Sequence, residues 1–316
     1  MKDLESAIKR MFLNRPFGRI LLDRKVDDKI AVNYEWEEIL KYSREGVFEF
    51  EYSEGELVGL IGFHVSQYDT DIFKKRTAIV KYLIVEEGSD AFEAVVTDAL
   101  LNKFNLWVKK SNIEVAIARI DSSFFNSILA LQKQKYCFYE TITYKTLLTS
   151  EIDAKSLDQV DFRFASIDDL SIVKKIALKN TFRKSHFYLD PEFSETHTDM
   201  MYANWIDNSF KSNDRIIVVE ENTRIVGAFI YDVVIFGDKL DSKRAIWKSA
   251  FIDGNFRKKG LGKMLFGAAL KACINEGVAS IDSSLIVKNI PSQNLHTYYK
   301  FKLVSVSYTF HRWFHK

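Results

Sequence analysis

The stretch that decides the fold is FIDGNFRKKGLGKMLFGAALKA, residues 251–272. It sets Arg257, Lys258, Lys259 and Lys263 around Gly260 and Gly262, between an apolar segment and an amphipathic one. After the glycines, Leu261, Leu265, Ala268, Ala269 and Ala272 recur at the spacing of a helix packed on a sheet, and Gly277 is where that helix is expected to stop. Upstream, RAIWKSAFID (residues 244–253) predicts a buried central strand, and downstream SIDSSLIV (residues 280–287) predicts the next one. The glycine loop therefore sits where a strand turns into a crossover helix. A helix opens with unpaired backbone N–H groups and the positive end of its dipole, and glycine lets those amides approach an anion closely. Four cationic side chains add charge enough for more than one phosphate.

Working outward, residues 216–231 (IIVVEENTRIVGAFIY) read as a hairpin, and residues 47–65 (VFEFEYSEGELVGLIGFHV) read the same way. Gly59 aligns with Gly227, an offset of 168, and KYCFYETITY from Lys135 resembles KFKLVSVSY from Lys300, an offset of 165. Two similar offsets indicate a duplicated domain. The polar stretch at residues 149–161 suits a linker, which places one domain at 1–150 and the other at 155–316. In the second half, helices are expected from the cap at Ser166 and over HTDMMYANWIDNSF (residues 197–210). Helices, antiparallel strands and a strand-helix-strand unit together predict an α/β fold with a mixed sheet.

At 316 residues the chain is long enough for two cores. Its net charge of +2 gives no reason to expect a nucleic-acid or anionic-membrane partner. No window approaches the twenty apolar residues of a membrane span, and the start lacks a signal-peptide run, so the cytoplasm is expected. Cys137 and Cys273 read as buried thiols, and no His or Cys spacing points to a metal. Oligomeric state is open, a homodimer being compatible with the sequence.

Elimination narrows the phosphate ligand. A Walker loop needs glycine at Arg257 and Ser or Thr at Met264, and a dinucleotide fingerprint needs glycine at Leu265. What remains is Arg257-Lys258-Lys259-Gly260-Leu261-Gly262 between a strand and a helix, which resembles the loop of the GNAT family of acetyl-coenzyme A dependent N-acyltransferases. The resemblance implies that the loop amides and Lys263 hold the coenzyme diphosphate. It also implies that Phe251 and Ile252 pair through their backbone with the pantetheine arm. The family's second motif falls on NIPSQNLHTYYKF, where Asn289 joins the coenzyme site and His296 occupies the position of a tyrosine that protonates the departing thiolate. An imidazolium can do the same near neutral pH, with Tyr298 and Tyr299 as alternatives.

Residues 180–191, 202–210 and 305–314 also make the second half similar to the nucleotide-linked amino-sugar N-acetyltransferases, dTDP-fucosamine acetyltransferases among them. Members of that type carry a degenerate GNAT-like first half, to which YDTDIF (residues 68–73) corresponds. Shifting the loop back by 168 brings Arg257 to Ser89, among Glu86, Glu87, Asp90 and Glu93, which repel a diphosphate. One acetyl-coenzyme A site per chain is therefore expected. His186, Tyr188, Asn204 and Trp205 are the acceptor-binding candidates, with Tyr139 and Glu140 contributed by the first half as a wall. The amine base is undecided among Asp253, Glu140, Asp282 and ordered water. Other small amines, antibiotics or protein amines stay open as acceptors, as does coenzyme binding without turnover.

Overall fold

A computed structural model describes residues 2–14, 27–235 and 243–314. It divides into two compact units, Met1–Ile142 with Ser305–Lys316, and Thr143–Val304. In chain order the first contains α1 (Lys2–Asn14), α2 (Asp28–Tyr42), β1 (Val47–Ser53), β2 (Glu56–Val65), α3 (Gln67–Phe73), β3 (Thr77–Val85), α4 (Asp90–Lys110), β4 (Val115–Asp121) and α5 (Phe125–Lys133). Strand β5 (Cys137–Leu148) crosses the division. The second contains β6 (Arg163–Phe164), α6 (Leu170–Asn180), α7 (His186–Leu189), α8 (Glu195–Lys211), β7 (Arg215–Glu221), β8 (Arg224–Ile235), β9 (Lys243–Ile252), α9 (Leu261–Asn275), β10 (Val278–Ile286) and α10 (Ile290–Tyr298). Strand β11 (Lys302–Trp313) belongs to the first unit from Ser305 onward, where Ser307–Trp313 pairs antiparallel with Val115–Asp121. The sequence puts the boundary at 150–155 and leaves this last strand in the second half, because periodicity carries no information about which strand it pairs.

Within the first unit the strand order is β1-β2-β3-β4-β11-β5, and within the second it is β5-β10-β9-β8-β7-β6. Both are mixed. In each, two antiparallel ladders lead to a parallel pair, β3 with β4 and β9 with β10, bridged by a crossover helix.

The repetition extends to the irregularities. The β1–β2 ladder shifts register at Val58 and the β7–β8 ladder at Val226, an offset of 168. Each bulge carbonyl accepts from a residue at the end of the third strand, Glu86 N–H at 2.8 Å and Asp253 N–H at 2.7 Å. The β2–β3 ladder shifts again at Lys81, and β8–β9 at Lys248. Two hairpins of unrelated origin do not share bulges at matched positions.

α9 lays Leu265, Phe266 and Ala269 against Phe229 and Trp247 on one face of its sheet, while α6 and α8 cover the other with Val173 and Ile206 against Phe251. In the first unit α4 packs Leu100 and Phe104 against Leu60 and Phe63. The expected linker is not free: Leu157 is buried in the second core, and Lys271 Nζ donates to Asp158 O and Val160 O at 3.0 Å. Its apolar residues dock it despite the polar composition. Cys273 is buried as expected, whereas Cys137, at the first position of β5, is exposed. No described helix is long and apolar enough to cross a membrane.

Gly227 lies where β8 meets the end of β9. A methyl group there meets Ile252 Cδ1 at 2.3 Å and the Phe251 carbonyl at 2.7 Å. Gly227→Ala is expected to lower stability by about 1–3 kcal/mol, as overpacking does. Urea unfolding checks this, an unchanged midpoint showing that the two strands are not in close contact.

Candidate active site

The loop between β9 and α9 is built from backbone. Gly254–Phe256 forms one 3₁₀ turn capped by Asp253, whose carboxylate accepts from Asn255 N–H at 3.0 Å. The chain then turns at Lys258 and Gly260, at φ +64° and +81°, and α9 begins. A side chain at Gly260 has open space but the wrong backbone conformation, so the position is held by φ. Lys263 N–H and Met264 N–H donate to Gly260 O at 3.0 and 3.2 Å. Among the described residues, none accepts from the backbone amides of Lys258, Lys259, Gly260, Leu261 or Gly262.

The cations around these amides are unequal. Lys259 pairs with Glu221 at 3.2 Å, and Lys263 lies 4.1 Å over the Tyr298 ring. Arg257 Nε donates to Ile252 O at 3.3 Å, and Lys258 has no carboxylate partner among the described residues. Of the four, Arg257 and Lys258 carry charge not already committed to a carboxylate or ring.

The second element is a gap in the sheet. β9 and β10 pair from Lys243 and Val278 as far as Trp247 and Ser283, then part, although β9 runs on to Ile252 and β10 to Ile286. On its other side β9 stays paired with β8 to the end. Antiparallel pairing alternates, and Asp253 N–H donates to Val226 O at 2.7 Å. Phe251 therefore directs its N–H and C=O toward β8, while Ala250 and Ile252 direct theirs into the gap. Of the two residues expected to pair with a pantetheine arm, Ile252 turns its backbone groups into the gap, whereas Phe251 turns its own toward β8 and buries its side chain against α6 and α8.

α10 supplies the remaining candidates. Asn289 caps it, its side chain accepting from Ser292 N–H. His296 is buried, between the Phe266, Trp247 and Phe301 rings. Its Nδ1 lies 2.8 Å from the Ser292 carbonyl and its Nε2 2.8 Å from Ser283 Oγ. A carbonyl only accepts, so the proton is on Nδ1, and Nε2 accepts from the Ser283 hydroxyl. Burial, with a contribution from Lys145, pushes the imidazole down to about 4. The imidazolium expected at neutral pH is corrected accordingly: the ring is neutral there. Tyr299 donates to Lys263 O at 2.9 Å, tying α10 to the first turn of α9, and burial pushes its phenol up to about 12. Tyr298 is exposed beneath Lys263. Ser283, which the sequence analysis missed, is the hydroxyl the fold brings to His296; only the strand register reveals it.

Residues 182–301 match the family model described as Acetyltransferase (GNAT) family. This segment is similar to that family. No curated protein matches the sequence. Among solved structures, a GCN5-related N-acetyltransferase from Sphaerobacter thermophilus aligns with a TM-score of 0.61 and 13% identity, over 97% of this chain and 91% of that chain. A tandem GNAT protein from the clavulanic acid biosynthesis pathway aligns at 0.53 and 12%, over 99% and 95%. A GCN5-related glucosamine N-acetyltransferase region of a fungal GH3 β-N-acetylglucosaminidase aligns at 0.58 and 12%, over 98% of this chain and 37% of that one. At such identities the likeness is one of fold.

Around the gap, Lys184 Nζ donates to Lys288 O at 3.2 Å, which sets the segment before α7 beside the end of β10. There Phe182 stacks on Tyr202 at 4.1 Å and Tyr188 stacks on Tyr202 at 5.8 Å. Tyr188 donates to Asp199 and lies under Arg183. His186 is buried against Phe187, Trp205 meets Phe182 edge-on, and Asn204 is half-buried. The proposed bases are otherwise engaged. Asp282 accepts from Arg244 at 2.9 Å with both side chains buried, and Asp253 faces Lys179 and Arg224. Glu140 is a buried residue of the first unit that accepts from Arg119 at 3.0 Å and from Thr309 at 3.4 Å. At the first unit's counterpart of the loop, Ser89 caps α4 and Glu93 accepts from Gly88 N–H at 3.2 Å, so carboxylates meet that helix start.

The folded imidazole holds its proton less tightly than the unfolded one. The unfolded chain therefore binds more protons between about pH 6.5 and 4, and stability falls as pH drops through that window, by roughly 3 kcal/mol over the full shift. Above it nothing is lost. Urea unfolding at pH 7 and 4.5 is expected to show this loss in the wild type and a smaller one in His296→Leu; equal pH dependence in both places the titration elsewhere.

Proposed function

We propose that the second unit is an acetyl-coenzyme A dependent N-acetyltransferase whose acceptor is the amine of a nucleotide-linked amino sugar. The observation that carries the reading is the coincidence of two sets of backbone groups outside any strand ladder, the Ile252 carbonyl among them being met by Arg257 Nε. Ala250 and Ile252 present a strand edge in the gap, and the amides of residues 258–262 converge at the start of α9. A strand edge suits an extended arm with amide groups, and clustered amides beside Arg257 and Lys258 suit a diphosphate. The family uses acetyl-coenzyme A, which supplies an activated acetyl thioester. The residues present fit that co-substrate.

In this reading the chain contributes position and polarity. Ala250 and Ile252 align the arm, the loop amides fix its charged end, and the α7–α8 aromatic wall orients the acceptor for direct attack. Well-oriented reactants gain about 7–11 kcal/mol over a dilute encounter. The stacked faces of Phe182, Tyr188 and Tyr202, with Arg183 and Asp199 at their edge, support a sugar and its charged substituents. The similar fungal region is named for glucosamine, which favours the same class. Both cysteines are free thiols, which suits the reducing cytoplasm.

Gly260→Asp places a carboxylate among the amides and forces an unfavourable φ. Calorimetry is expected to show coenzyme A affinity falling by more than about a hundredfold, the scale of a like-charge contact in a partly desolvated site. Retained affinity rejects the loop assignment. Thiol release with dTDP- or UDP-linked amino sugars, and not with polyamines or peptides, selects the acceptor class.

A further inference from the structure

The buried pair Ser283–His296 is more than that reading requires, and the internal duplication shows that packing does not require it either. α5 and α10 correspond at an offset of 165, Phe125 with Ile290, and the last parallel pairs correspond likewise, Ala118 with Ser283. At the same offset His296 corresponds to Leu131. The first unit thus closes this corner with a fully buried alanine and leucine, while the second buries a hydroxyl and an imidazole. Burying polar groups is unfavourable unless they are bonded, and apolar groups of similar shape are at least as stable. The polar pair occurs in the unit that carries the glycine loop.

Its geometry is that of an activated nucleophile. Ser283 Oγ lies 2.8 Å from His296 Nε2, and Nδ1–H is oriented by the Ser292 carbonyl at 2.8 Å. Ser283 is the last β10 residue paired with β9, so it stands where the gap opens. Lys248, next to its partner Trp247, is the bulge residue of β9. Nucleophile, base and orienting acceptor therefore meet at one end of the gap. Neutral at pH 7, the imidazole can deliver a proton only after taking one, and the hydroxyl on Nε2 is that of Ser283.

We propose that Ser283 is an acyl-accepting nucleophile with His296 as its base, giving the domain a second activity in the absence of an amine. Ser283 Oγ forms a bond to the acyl carbon as the bond from that carbon to its leaving group breaks. The hydroxyl proton passes to Nε2 and from there to the leaving group, a thiol if the donor is a thioester. Water or an amine then attacks the acyl-serine, and the proton returns to Oγ through Nε2. The thioester as natural donor rests on the proposed function; the nucleophile itself does not.

The test uses p-nitrophenyl acetate, which has no diphosphate, on the full chain without an acceptor. A burst of one nitrophenol per chain is expected, with one acetyl group mapped by mass spectrometry to the peptide containing Ser283. Ser283→Ala abolishes both, and His296→Leu slows the burst by more than about a hundredfold, as loss of a general base does. The double variant Ser283→Ala/His296→Leu copies the first unit's solution and is expected to melt no lower than wild type, which separates loss of chemistry from loss of fold. No acetyl group on Ser283 of the folded wild type, or an unchanged burst in Ser283→Ala, overturns the proposal. Acylation with no coenzyme A binding by calorimetry would instead overturn the coenzyme reading and leave this one standing.

Discussion

Past Trp247, strand β9 has a hydrogen-bonded neighbour on one side only. Backbone N–H and C=O groups in a sheet interior are normally paired, and leaving them unpaired away from water is unfavourable. The second unit leaves Ala250 and Ile252 without a strand partner on that side because β10 diverges after Ser283, beside the bulge at Lys248, and Arg257 Nε meets the Ile252 carbonyl instead. The site follows from that divergence. It creates a strand edge inside the sheet, aims that edge toward the loop that opens α9, and leaves Ser283 and His296 at the closed end.

The duplication separates scaffold from chemistry. Both units have the same bulges, the same parallel pair that parts early, and the same crossover helix. They differ in what occupies the critical corners. The first starts its crossover helix with Ser89 and Glu93, whose hydroxyl and carboxylate accept from Phe92 N–H and Gly88 N–H; the second uses Gly260 and Gly262 and leaves the amides there unanswered. The first fills the apex with Ala118 and Leu131, the second with Ser283 and His296. A fold competent to build a gap is thus present twice, and the polar content that gives the gap a use is present once.

Much of this was legible in the sequence, for identifiable reasons. Hairpins, the crossover helix and the glycine loop are local, and apolar periodicity with positive-φ residues at Gly55, Gly260 and Gly277 marks their limits. What was illegible depends on pairing. Alternation along β9 decides that Ile252 and not Phe251 faces the gap, and only strand register brings Ser283 to His296. Likewise Lys259 is drawn to Glu221, and Asp282 to Arg244, by neighbours distant in sequence. His296 occupied a recognisable motif position, but its protonation state is set by Phe266, Trp247 and Phe301 around it.

The central claim is that main-chain amides at the start of α9 bind the charged end of the co-substrate. Amide-resolved NMR during a coenzyme A titration addresses it most directly. The account predicts that the amide protons of residues 258–262 move together, saturably and downfield, and that pantetheine without the diphosphate leaves them in place. Saturation of the protein with those resonances unmoved, and shifts gathered elsewhere, would contradict it.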